Sequence, residues 1–166
     1  MTEQQTVAPP PEASTKPPAG TPVIVEVTAR SKAGGGVGFT HDWRWEDGTP
    51  GGSGSIDIPE REKHQPGTPI HFHFKDETVP RLGLDFTDDA DNAMWVKRDS
   101  CPLEDQRCED PQIPTAKMER SPNLLKVFDV NSEACTLHYR LRFKDRQGRP
   151  ESYDPDIRNG GTTISE

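Results

Sequence analysis

His71 and His73 stand two residues apart in Ile70-His71-Phe72-His73-Phe74-Lys75, a spacing that on a β-strand puts both imidazoles on one face and the apolar side chains on the other. Two imidazoles so placed can share a zinc or copper ion, which then needs at least one further ligand. His138 lies on the polar parity of Leu137-His138-Tyr139-Arg140-Leu141-Arg142-Phe143-Lys144. It would complete the set if its strand neighboured that of His71. The plainer alternative makes all three histidines polar residues on solvated sheet faces. His41 shares parity with Trp43 and Trp45 and reads as a histidine at the edge of a core.

Cys101 and Cys108 enclose six residues in a charged, proline-punctuated stretch. A disulfide there would order a segment with little to bury, contributing about 2 kcal/mol; two free thiols are the alternative. Cys135 shares parity with Leu137 and Tyr139 and is expected to be a small buried side chain. Arg140, Arg142 and Lys144 continue the parity of His138 into the one concentrated basic row of the chain, either a docking face for an acidic partner or a row paired with acids such as Glu26. The acidic run Asp85, Asp88, Asp89, Asp91 fails the calcium-loop pattern, because Ala93 stands where a ligand is needed. Neither a nucleophile elbow nor a phosphate-binding loop is present. No catalytic residue and no organic cofactor are therefore expected.

Those residues need a frame, and the composition sets its limits. The chain has 166 residues with 28 acidic against 20 basic, a net charge of −8, and a mean hydropathy of −0.89. The acidic balance opposes nucleic acid and anionic membrane surfaces, and no apolar run is long enough to span a bilayer. The start, Met1-Thr2-Glu3-Gln4-Gln5, has neither the basic nor the apolar region of a secretory signal. A soluble, cytoplasmic protein is expected.

Residues 1–21 are rich in proline, alanine, serine and threonine and are expected to form a disordered tail. From residue 22 to 166 short period-two segments follow one another. Val23, Val25 and Val27 alternate; so do Phe39, Trp43 and Trp45 after the turn at Gly34-Gly35-Gly36, then Ile70, Phe72 and Phe74, then Leu82, Leu84 and Phe86. Ile56 to Ile58 is a short edge piece, and Met94 to Val96 and Leu124 to Val130 are further strands. Thr136 to Lys144 gives the clearest alternation. Asp145-Arg146-Gln147-Gly148 turns into a last strand near Ser152 to Ile157. The stretch at about 98–121 reads as a long irregular excursion. This pattern predicts an all-β, immunoglobulin-like, two-sheet antiparallel sandwich.

The segment Tyr153-Asp154-Pro155-Asp156-Ile157-Arg158-Asn159-Gly160-Gly161, following Tyr139-Arg140-Leu141-Arg142-Phe143-Lys144-Asp145, resembles the C-terminal end of small uncharacterised bacterial β-sandwich proteins, the DP-EP family. The resemblance implies the fold and no activity. The functional expectation is a non-enzymatic binding or protein-interaction module whose partner is another protein and whose specificity sits in loops, above all in the excursion. A zinc- or copper-binding protein using His71 and His73, and a hydrolase without a legible site, are the alternatives.

Overall fold

The computed structural model describes residues 16–103 and 106–163. The expected disordered tail lies, over residues 1–15, outside the described residues. Residues 16–21 are placed against the domain: Pro17 is buried, and the Thr21 amide donates to the Pro18 carbonyl at 3.1 Å.

The expected all-β sandwich is what the chain forms. In order the strands are β1 (Val23–Ser31), β2 (Val37–Trp45), β3 (Pro50–Gly52), β4 (Ile56–Ile58), β5 (Arg61–Glu62), β6 (Thr68–Asp76) and β7 (Asp85–Phe86). There follow β8 (Met94–Arg98), β9 (Glu119–Ser121), β10 (Leu124–Asp129), β11 (Ala134–Lys144), β12 (Pro150–Tyr153), β13 (Asp156–Gly160) and β14 (Thr162–Thr163). A four-residue helix, Ala90–Ala93, precedes β8.

One sheet has the order β3-β2-β1-β6-β10-β9. The other is built on β11, which pairs with β12 and β13 on the one hand and with β7 and β8 on the other, with β4 beyond β13. The pairing is not wholly antiparallel as expected: β1 with β6, β4 with β13 and β5 with β14 are parallel.

Alternation decides which residues meet between the sheets. Val23, Val25 and Val27 sit in register with Ile70, Phe72 and Phe74, while Leu137, Tyr139 and Leu141 sit opposite Arg98, Val96 and Met94. All of these but Arg98 join one core. Aromatic contacts cross it, Phe72 to Tyr139 at 5.6 Å and Phe74 to Phe143 at 4.5 Å between ring centroids. Burying such a ring stabilises by roughly 2–3 kcal/mol, so these contacts clamp the two sheets face to face.

Two predicted strands break. Leu82, Leu84 and Phe86 alternate in burial, yet only Asp85–Phe86 is strand. The Gly83 and Leu84 amides donate to the Asp76 carboxylate instead of to a neighbouring strand, and Gly83 has φ +69°. The last predicted strand divides into β12 and β13 at Asp154-Pro155 because proline offers no amide to the ladder.

The excursion is largely tied down. Ile113 and Met118 enter the core, Gln112 bonds Ser132 through both ends of its amide, and Arg98 pairs with Asp110 and Glu133. The four residues 130–133 connect β10 to β11 and thus one sheet to the other.

Candidate interaction surface

The candidate metal set of His71, His73 and His138, one of the two readings of those histidines, does not assemble. His71 and His73 do share the outer face of β6, but β6 pairs with β1 and β10, whereas His138 lies on β11 of the other sheet between Lys97 and Asp156. The core separates the two outer faces. His71 lies in register with Lys126; burial pushes its imidazole below the ordinary value, and the Lys126 charge pushes the same way. Among the described residues no three His, Cys, Asp or Glu side chains converge. His41 is a core-edge histidine as read, its ring nitrogens bonded to the Tyr153 hydroxyl and the Gly54 carbonyl.

Of the two alternatives for Cys101 and Cys108, a staple and two free thiols, the structure has the free thiols. Cys101 points toward His138, its sulfur 3.9 Å from Nδ1. Cys108 is held elsewhere: its carbonyl accepts the Val96 amide at 3.2 Å along β8. Burial pushes the Cys108 thiol up, with the Lys97 and Arg140 charges opposing. Cys135 is half-buried beside the core.

The basic row is used within the chain. Arg140 is 9% exposed; its guanidinium donates to the Pro102 carbonyl and the Ser152 hydroxyl and pairs with Asp154 at 3.1 Å. Arg142 lies 4.0 Å over the Trp95 ring and donates to the Asn92 carbonyl. Lys144 pairs with Asp88. Glu26, the acid expected to answer this row, stands on the opposite sheet beside Arg44. The row fastens crossing segments to the outer face of β11.

The acid excess has a structural use that the sequence analysis did not assign. Asp47, Asp76, Asp110, Asp129 and Asp145 each accept the amide two residues on, the turn in which a short carboxylate replaces a backbone acceptor. Several of them gather at the two ends of the sandwich, with different results.

At one end, the tail pole, residues 16–20 line a cleft of about 410 Å³ with Trp45, Pro59 and Arg61. The Arg61 guanidinium is spent on backbone carbonyls, those of Val130 and Gln65 among them. Beneath it, Asp129 is fully buried. Its Oδ1 accepts from the Asn131 amide and from Asn159 Nδ2 on the other sheet, while Oδ2 and the Asn159 Oδ1 have no partner among the described residues. Burial dominates the two hydrogen bonds and pushes the Asp129 carboxyl up to about 7. Asn131, with φ 49°, ties the ends together, donating to the Pro59 carbonyl and accepting the Gly161 amide.

At the opposite end, the loop pole, the connection 77–84 leaves β6 and returns to β7. The Asp76 carboxylate lies at its root and accepts from the Thr78 amide and hydroxyl and from the Gly83 and Leu84 amides. Burial would raise this carboxyl, but those bonds together outweigh it and hold it below the ordinary range. Ser31 braces the tip: its hydroxyl accepts the Val79 amide at 2.9 Å and donates to the Val79 carbonyl at 3.3 Å. The Arg146 amide donates to the Leu82 carbonyl at 2.9 Å. Held this way, Val79 is 81% exposed, the most exposed large apolar side chain of the described residues. Clefts of about 400 and 320 Å³ flank the loop, floored by Val37 and Leu82 on one side and by Phe74 and Leu84 on the other.

Sequence reading missed this tip. Its signal was present: an apolar residue before a proline, off the alternation of Leu82 and Leu84, with an Asp-x-Thr turn at its root. Among the described residues the only other exposed large apolar side chain, Leu103 at 53%, belongs to the excursion. None of the clefts described here is lined by histidine or cysteine. Among the described residues no helix is long and apolar enough to cross a membrane. Comparison with protein-family models and with curated proteins finds no match for this chain.

Proposed function

We propose that this chain is a non-enzymatic protein-interaction module whose recognition surface is the loop pole, centred on Val79. The observation that carries the reading is the combination of exposure and bracing. A valine left 81% exposed forgoes on the order of 1.5 kcal/mol of burial, and two backbone bonds to Ser31 hold it out. A contact residue already fixed in place binds with a smaller ordering cost than one on a slack loop. Sandwich frames commonly present binding loops in this manner.

The expected emphasis on the 98–121 excursion shifts, because Ile113, Met118 and Gln112 are buried and contribute to the frame. The zinc or copper alternative would need ligands for His71 and His73 that the described residues do not bring together, and none of the three clefts gathers acids with a histidine.

A photo-crosslinking side chain at position 79, compared with one at the exposed sheet position Thr40, tests the reading in native host cells. A discrete protein adduct from position 79, suppressed by excess unlabelled protein and absent from position 40, is the expected result. Equal adducts from both positions, or none from either, would sink it.

A further inference from the structure

The charge around Val79 has the opposite sign to the chain as a whole. The acids of the loop pole are already engaged: Asp76 by the four donors of its own loop, Asp145 by the Gln147 and Arg149 amides and the Arg149 guanidinium, and Glu77 by Arg30 and Lys75. Lys32, Arg81 and Arg146 line the two clefts beside the tip, and none of the three has an anionic side-chain partner among the described residues. Against them stand Glu151 and Asp76, whose donors are neutral and leave its charge in place, so the two clefts together are lined by five cations and three acids. On a protein of net charge −8, this is a local reversal.

The cations are also positioned. Gly83 has φ +69°, and a Cβ on it would lie 3.2 Å from the Arg146 Cβ and 3.1 Å from its Nε. The bare glycine is what lets the Arg146 stem lie against the loop, carrying its guanidinium into the cleft that Arg81 also lines. An apolar tip therefore projects between two clefts, one of balanced charge, with Lys32 and Arg149 against Asp145 and Glu151, and one net cationic, with Lys75, Arg81 and Arg146 against Asp76.

From this we infer that the partner surface is an acidic, apolar protein segment, one that covers Val79 and the adjoining cleft floor with an aliphatic side chain and sets carboxylates against Arg81, Arg146 and Lys32. The inference rests on the interaction-module reading and adds the chemistry of the partner. Opposite charges at a rim speed encounter and select partners, and they weaken as salt rises. A nucleic acid would also offer anions, but the remaining surface of the chain repels a phosphate backbone.

The test uses the full ¹⁵N-labelled chain and three synthetic peptides sharing a Leu-Val centre, flanked by glutamates, glutamines or lysines, with a single-stranded oligonucleotide as a fourth probe. The glutamate peptide is expected to shift the amides of Lys32, Val79, Arg81 and Arg146. Its affinity should fall roughly tenfold with the exposed double substitution Arg81→Glu and Arg146→Glu, and similarly when its glutamates become glutamines. Unchanged amide positions elsewhere in the variant spectrum report that the fold is intact.

If the glutamine peptide binds at Val79 as tightly as the glutamate peptide, the acidic partner is wrong and the interaction surface stands. If no peptide shifts the patch, both are wrong. If the oligonucleotide occupies the same residues more tightly than any peptide, a protein partner is overturned.

Discussion

The two poles of this sandwich are built with the same device and do opposite things with it. Asp129 and Asp76 each end an inner strand of one sheet and each accept the amide two residues further on. At the tail pole the carboxylate is sealed under Asn131 and Asn159, with one oxygen unpartnered, and is pushed up to about 7. At the loop pole the carboxylate collects donors on both oxygens, stays half-buried and is held low. The difference teaches that donor count against desolvation, and not residue type, decides what a turn aspartate becomes. One pole joins the sheets and the other presents a tip.

The largest expected effect breaks the tail pole through its proton. The folded Asp129 carboxyl lies above its ordinary value of 3.8, so the native state keeps a proton that the unfolded chain releases. Stability therefore falls as pH rises from about 4 to 7 and levels off above that. Asp129→Asn removes the penalty, and its stability relative to wild type should grow across that window by up to roughly 4 kcal/mol. Urea unfolding of both proteins at a series of pH values measures it; parallel curves would mean that Asp129 ionises at its ordinary value.

Next comes Asn131→Ala, which deprives the Pro59 carbonyl and the Gly161 amide of their partners and leaves alanine in a left-handed conformation. About 3 kcal/mol should be lost, read as a lower denaturation midpoint with an unchanged slope. Asp76→Ala is the corresponding cut at the loop pole. It should cost about 2 kcal/mol and open 77–84 to proteases. Because the Asp76 carboxyl is held low, the gap from wild type should be full at neutral pH and shrink as pH falls below its ordinary value of 3.8.

The smallest effect sharpens the contrast. Val79→Asp should leave stability within about 0.5 kcal/mol of wild type, since an 81% exposed side chain supports nothing beneath it. A large destabilisation in the same unfolding assay would make Val79 a structural residue and remove the basis for the loop-pole surface.

Alternation of residue type determined the long strands and their inward faces, though not the short β3, β5, β9 and β14, since side-chain direction in a strand follows from its own period. Val23, Val25, Val27, Phe72, Tyr139 and Phe143, predicted inward, are all buried, and two packed sheets follow from that. Pairing order is not local. Whether His138 could meet His71 depended on β11 lying beside β6, and the chain instead put them in separate sheets. Alternation over Leu82 to Phe86 was likewise a correct reading of burial and an incorrect one of hydrogen bonding, because the amides there answer Asp76. Which carboxylate is sealed, which cation keeps no acid beside it and which valine stands in solvent are decided by groups far apart in sequence, converging only when the two sheets close on each other.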